Sequence, residues 1–240
     1  MRSIIKKVPA LRRAYYRHKF RHPQSQSDET AIISKLTVNA PKTFVEFGFH
    51  PVEFNCADLA RLPDWRGLLI DGNAAQVEDA RAMMPPNIEV ARRFLTLDNI
   101  GFIKSHFQAL GVLSIDVDGN DYWFLQELIT ASPHVISVEY NSTFGLESVT
   151  VPYDPTFDRN AMHPRGWYHG ASLTALASLC ARFDYGLAAV SEDGCNAFFT
   201  RAGLLNPQDA WRPNAFREKY SGVPHARQWK SVSDMPFVTV

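Results

Sequence analysis

The sequence has little cysteine: Cys56, Cys180 and Cys195 are the three in 240 residues. Odd in number and far apart, they form neither a disulfide framework nor a zinc pair, and they fit a reducing, cytoplasmic compartment. Long apolar runs are missing. No stretch approaches the roughly 18–20 residues that cross a bilayer, which excludes a transmembrane helix. No continuous apolar segment follows the basic N-terminus, so a secretory signal is not expected. Internal repeats and low-complexity tracts are absent, as are a Walker loop and HExxH or CxxC spacings. Net charge is lacking too, since 25 Lys and Arg balance 25 Asp and Glu.

What is present is ordinary for a folded chain: 45% hydrophobic and 21% charged residues, at a length that suits one domain with a sizeable core. The zero charge is a cancellation. Residues 1–22 hold eight Lys and Arg and no acid, leaving 17 basic groups against all 25 acids in the rest. This arm is expected to form a basic helix with Ile4, Ile5, Val8, Leu11 and Tyr15 along one stripe, although Pro9 interrupts its start. Residues 22–30 read as a polar linker. The arm suits the anionic inner face of a membrane, where each Lys or Arg contributes about 1 kcal/mol. It equally suits an acidic partner, the acidic body of its own chain, or another subunit of a homo-oligomer. Nucleic acid is not an expected partner, because the body is acidic and no reading motif occurs.

From residue 40, short apolar runs alternate with helical stretches. Strands are expected at Thr43–Phe47, 67–70 ending at Asp71, 88–94, 112–117, and 135–138 ending at Glu139. Helices are expected over 52–61, 74–84, 99–110 and 122–131. Such alternation implies parallel pairing through right-handed crossovers. The pattern then changes to a helix at 172–183 and strands at 185–190 and Asn196–Thr200. Asp193-Gly194 joins these two strands as a hairpin, so the last strand runs antiparallel. Residues 142–170 show little periodicity and several prolines, which marks an insertion over a site. The domain reading is therefore an arm and linker at 1–39, an α/β body at 40–203, and a tail at 204–240 packed on the body or a partner.

Ligands of open α/β sheets bind beyond the carboxyl ends of the strands. The first strand leads into Glu46-Phe47-Gly48-Phe49-His50, where a glycine lets a ligand approach the backbone. Asp71, with Gly72 and Asn73 beside it, is placed to accept both hydroxyls of a ribose. Asp71-Gly72 is equally a turn signal. The fourth strand runs into Asp116-Val117-Asp118-Gly119-Asn120-Asp121. Acids this dense repel one another unless a cation or positive ligand sits among them. The fifth strand ends in Glu139-Tyr140-Asn141, and oxygen ligands from two neighbouring strand ends suit a hard ion such as Mg²⁺. The other reading is a turn, with Asp121 capping the next helix. His50 and His169 fall in loops by the site and could act as bases near neutral pH. His18, His22, His134 and His225 read as surface residues. Ser172 reads as an N-cap rather than a nucleophile, and Trp123 and Phe124 as packing a helix onto the sheet.

At these residues, over about 40–202, the chain resembles the class I S-adenosylmethionine (SAM)-dependent methyltransferases, and within them the FkbM-like group. Val45-Glu46-Phe47-Gly48 sits where that fold has its first SAM-binding motif, and Asp71 where it has its ribose-binding acid. Asp116-Val117-Asp118-Gly119 resembles the group's Asp-x-Glu-Gly signature. The resemblance implies an α/β, Rossmann-like class I methyltransferase fold, a mostly parallel seven-stranded sheet of order 3-2-1-4-5-7-6 with an antiparallel last strand. It implies SAM as cofactor, held by Glu46, Gly48, Asp71, Gly72, Asn73 and Asp116, and a hydroxyl of a small, glycan-related molecule as methyl acceptor. Asp118, Glu139 and Asn141 resemble the metal ligands of Mg²⁺-dependent sugar and catechol O-methyltransferases. Asp121 stands where some sugar enzymes place a histidine base. One departure is the first loop, where Gly48 is followed by Phe49, His50 and Pro51 instead of further glycines.

Methyl transfer from a sulfonium asks the protein to align an oxygen and remove its proton. A divalent ion would lower the pKa of a bound hydroxyl; without one, Asp121, His169 or His50 acts as the base. Two other readings stay open. One is a metal-dependent glycosyltransferase using Asp116-Val117-Asp118; the other is a non-catalytic binding member of the fold.

Overall fold

The computed structural model describes residues 8–21 and 27–240. Its strands are β1 (Thr43–Phe47), β2 (Arg66–Asp71), β3 (Ile88–Arg92), β4 (Val112–Ile115), β5 (Val135–Glu139), β6 (Val149–Thr150), β7 (Gly186–Val190), β8 (Asn196–Thr200) and β9 (Val238–Thr239). Side chains alternate between the two faces of each strand, and both faces of the central strands are apolar. Val45, Leu68, Leu113 and Ile136 face one layer, with Leu125 and Leu176 from helices Asp121–Leu128 and Leu173–Ala181. Phe44, Leu69, Val112 and Val135 face the other, against Ile33, Leu59 and Val77. Helices therefore cover both sides of the sheet.

Seven strands pair in the order β3-β2-β1-β4-β5-β8-β7. The first five are parallel, and β8 runs antiparallel to β5 and β7. Counted within the sheet this is 3-2-1-4-5-7-6, the order of the class I methyltransferase fold that the resemblance implies.

Several elements are shorter than the periodicity predicts. The helix expected over 52–61 is confined to Ala57–Ala60, because the Glu46 carboxylate takes the N–H groups of Asn55 and Cys56 and holds the preceding residues in a turn. The stretch 99–110 forms a 3₁₀ segment, Ile100–Ser105, burying Ile100 and Ile103 at the three-residue spacing of that helix. The strand expected over 112–117 stops at Ile115, where the chain turns into the site. The end of the expected linker is the start of a helix, Glu29–Leu36, anchored by fully buried Ile33.

The described part of the basic arm is the helix Pro9–Phe20. Its docked face is Arg12, Tyr16 and Phe20, not the expected stripe; Val8 and Leu11 are exposed, and Ile4 and Ile5 lie outside the described residues. Arg12 and Arg13 both pair with buried Asp79, Tyr16 meets the His50 ring edge-on at 5.6 Å, and Phe20 stacks on Phe54. Charge decides the face, because the acidic body offers a buried carboxylate that would otherwise lack a counter-ion.

A third small core joins the 142–170 segment to the tail. Phe144, Val151 and Tyr168 pack with Val232, Trp229 and Phe237, and β6 pairs with β9. Trp123 is half-buried and donates from Nε1 to the Val151 carbonyl at 2.9 Å, so it ties this segment down, while Phe124 packs on the sheet. Among the described residues, no helix is long and apolar enough to cross a membrane. All three cysteines are free and buried.

Candidate functional site

Strand register alone brings the strand-end residues into one row. Phe47 pairs with Ile70 on one side and Ile115 on the other, and Ile115 pairs with Val138. The next residue of each strand is Gly48, Asp71, Asp116 and Glu139. All four line one cleft of about 1440 Å³ at the carboxyl edge of the sheet. It lies where the strand order reverses between β1 and β4, the usual ligand position in such sheets.

Gly48 has φ +77°, and a Cβ there would lie 1.4 Å from the Asp116 carbonyl oxygen. The β1 loop and the β4 turn touch backbone to backbone, leaving the space above them to a ligand. Asp71 Oδ1 accepts from the Asn73 N–H at 2.6 Å, and burial raises its pKa. The Asn73 side chain caps the helix Ala74–Arg81 through the N–H groups of Ala75 and Gln76. Gly72, Asn73 and His50 also line the cleft.

Other predicted residues stand elsewhere. Glu46 lies beneath the cleft, 2% exposed, its carboxylate engaged with the N–H groups of Asn55 and Cys56, and burial pushes its pKa up to about 7. Asp121 is fully buried at the start of the helix Asp121–Leu128; it closes the turn before it but does not cap the helix as expected, since both its partners precede the helix. Oδ1 accepts from Val117 N–H and Oδ2 from Gly119 N–H, both at 2.9 Å, and Asp121 does not line the cleft. His169 is also fully buried. Its Nε2 meets Arg217 Nη2 at 3.1 Å, and its Nδ1 lies 3.6 Å from Glu139 Oε2. Burial, then Arg217 and Arg159, hold its pKa well below the usual histidine range.

The expected Mg²⁺ triad does not assemble. Asn141 donates to the carbonyls of Trp167 and His169, and its oxygen accepts from Thr143 N–H and Arg217 Nη1. Asp118 is paired with Arg159. That ion pair competes with a two-aspartate metal site of the glycosyltransferase type. The remaining acids, Asp116 and Glu139, have pKa values well above the carboxylate range, first through burial, then through Asp118, Asp121 and Glu46 for Asp116 and through Asp116, Asp118 and Asp121 for Glu139.

Arg159 and Arg217 are the functional residues that sequence reading missed. They come from the two segments without periodicity, 142–170 and 204–240, which also bring Phe157, Trp167, Asn214 and Phe216 to the cleft. The acid cluster carried the one signal for them, since it demanded a cation. His225, expected at the surface, is half-buried and bonds the Ser142 carbonyl at 2.6 Å, helping to seat the tail. Ser172 caps its helix through Ala175 N–H, as its position predicts.

No family model matches the sequence, and no curated protein is detectably similar. Among solved structures, the chain is similar to an O-methyltransferase from Bacillus cereus in complex with SAH (S-adenosylhomocysteine), at 16% identity and a TM-score of 0.48, over 74% of this chain and 81% of that one. It is similar to the O-methyltransferase TomG from Streptomyces achromogenes in complex with SAM, at 16% identity and a TM-score of 0.48, over 78% and 86% of the two chains. The N-terminal domain of EvdMO1 with SAH bound is similar at 14% identity and a TM-score of 0.47, over 74% and 80%.

Proposed function

We propose that the cleft binds SAM and that the protein transfers its methyl group to a hydroxyl oxygen of a small, glycan-related acceptor. The observation that supports this most is the row Gly48, Asp71 and Asp116 at the reversal of strand order, with no room for a side chain at residue 48. SAM, when bound, supplies a methyl group on a sulfonium, an electrophile needing no further activation.

The residues present fit that cofactor. Asp71 would accept the ribose hydroxyls, and the backbone at Gly48 would lie against the amino-acid portion. Phe94, 64% exposed on the rim next to Gly72, offers a ring face to a base. The β4–β5 half of the cleft combines the rings of Phe157 and Trp167 with the carboxyls of Asp116 and Glu139. Rings beside hydrogen-bonding carboxyls suit the apolar face and hydroxyl edge of a sugar.

Glu139 takes the role of base in this reading. It lines the cleft, whereas Asp121 and His169 do not. Burial, then Asp116, raise its proton affinity, which strengthens it as a proton acceptor. His169 stands behind it as a positioning residue. Arginine only donates, so Nε2 must accept from Arg217 and the neutral ring carries its proton on Nδ1, facing Glu139.

Calorimetric titration of the full chain with SAH tests the reading. One site per chain is expected, lost in Asp71→Ala. Absence of both heat and a thermal shift at millimolar SAH would overturn it.

A further inference from the structure

Single ligand atoms of Asp118, Glu139 and His169 lie within 4.8 Å of one another, and so do those of Asp116, Asp121 and Glu139. By composition either set could hold a divalent ion. The surroundings engage most of their donor atoms; Glu139 Oε2 and His169 Nδ1, 3.6 Å apart, are buried without a hydrogen-bond partner. Each Asp121 oxygen already accepts one backbone N–H. Arg217 occupies His169 Nε2, which forces the ring proton onto Nδ1 and removes the lone pair a metal would need. Arg217 and Thr143 N–H occupy the Asn141 oxygen. Arg159 pairs with Asp118, and its charge also faces Glu139 and Asp116.

Arg159 is held for this task. It opens the short helix Arg159–Met162, capped by Asp158. Its stem passes Gly166, at φ +63°, where a Cβ would lie 3.1 Å from Arg159 Nε. A guanidinium presents a fork of N–H donors to carboxylates and cannot lose its charge near neutral pH.

We infer that Arg159 stands where a divalent ion would otherwise be required, and that with Arg217 it makes this carboxylate cluster a metal-free acceptor site. The acceptor role of the cluster rests on the methyltransferase reading; its metal-free state does not. The guanidinium neutralises the acids and leaves donors for an acceptor hydroxyl, and Glu139 remains the proton-accepting group.

The test is Mn²⁺ titration of the full chain, with free ion followed by electron paramagnetic resonance. The wild type is expected to leave Mn²⁺ free. The Arg159→Met/Arg217→Met double variant is expected to take up one Mn²⁺ per chain, and adding Glu139→Gln to return the ion to solution. Uptake of one Mn²⁺ per chain by the wild type overturns the inference, as does no uptake by a double variant with wild-type circular dichroism. If the double variant does not fold, Arg159→Met alone decides: its side-chain site is 34% exposed, and at least tenfold tighter Mn²⁺ binding than wild type is expected, equal binding being fatal. None of these readouts passes through SAM, so failure here and failure of the cofactor reading are separate results.

Discussion

The Asp116 carbonyl oxygen lies 1.4 Å from the point that a Cβ on residue 48 would occupy. Gly48 and Asp116 thus bring β1 and β4 together at the edge of the sheet, below the proposed cofactor. Gly48→Ala must move one backbone segment and adopt a strained φ. The expected cost is about 2–5 kcal/mol, with loss of SAH binding. Urea unfolding and calorimetry check both parts; a stable variant that binds SAH normally would show that neither packing nor binding needs glycine at residue 48.

Asp71 offers a carboxylate to the cleft without anchoring the core. Asp71→Asn is expected to weaken SAH binding about 10- to 100-fold, the worth of hydrogen bonds to a charged group. The melting temperature without ligand should change little. A variant whose SAH affinity equals the wild type's would show that the ribose is held elsewhere.

Burial pushes the Glu46 carboxyl up to about 7 from 4.5. Below pH 4.5 it is protonated in both folded and unfolded chains, and between 4.5 and 7 the folded chain alone keeps the proton. Its stabilising contribution is therefore full below the unfolded value and is lost as pH rises through the folded one, by on the order of 3 kcal/mol. Glu46→Gln should flatten that part of the stability curve. Denaturant unfolding of both proteins across this window measures the difference, and parallel curves would contradict it.

Asp121 closes a turn. Asp121→Ala leaves the N–H groups of Val117 and Gly119 without acceptors, at about 1–3 kcal/mol each. Asp121→Asn keeps one acceptor and should lose about half as much. Chemical denaturation ranks the three proteins; an alanine variant as stable as wild type would exclude the turn-closing role.

The N-terminal helix is held largely by Arg12 and Arg13 on Asp79. Replacing both arginines by alanine should weaken docking by about 1 kcal/mol, given their partial exposure, and speed amide exchange across Pro9–Phe20 roughly fivefold. Unchanged exchange would show that Tyr16 and Phe20 suffice.

Much of the fold is legible in the chain because alternation within a strand and the Asp193-Gly194 hairpin are local signals. They identify the seven strands of the sheet, and the ends of those strands carry Gly48, Asp71, Asp116 and Glu139. Helix lengths are less legible, since Glu46 reaches across to stop one and the 3₁₀ turn at Ile100 depends on what it packs against. The docked face of the N-terminal helix was misread because a carboxylate 67 residues away outweighs its apolar stripe.

By itself, then, the sequence determined the alternating strands and helices and the acids at the strand ends, because pleat periodicity is local, while the strand order came with the family resemblance. Tertiary structure decided which of those acids face the cleft. It turned Asp121 and Asn141 into structural hydrogen-bond partners, put the His169 proton on Nδ1, and supplied the cation demanded by the cluster as Arg159 and Arg217. Those arginines arrive on segments whose paths are set by a third core of side chains distant in sequence, and such packing leaves no periodic trace in the chain.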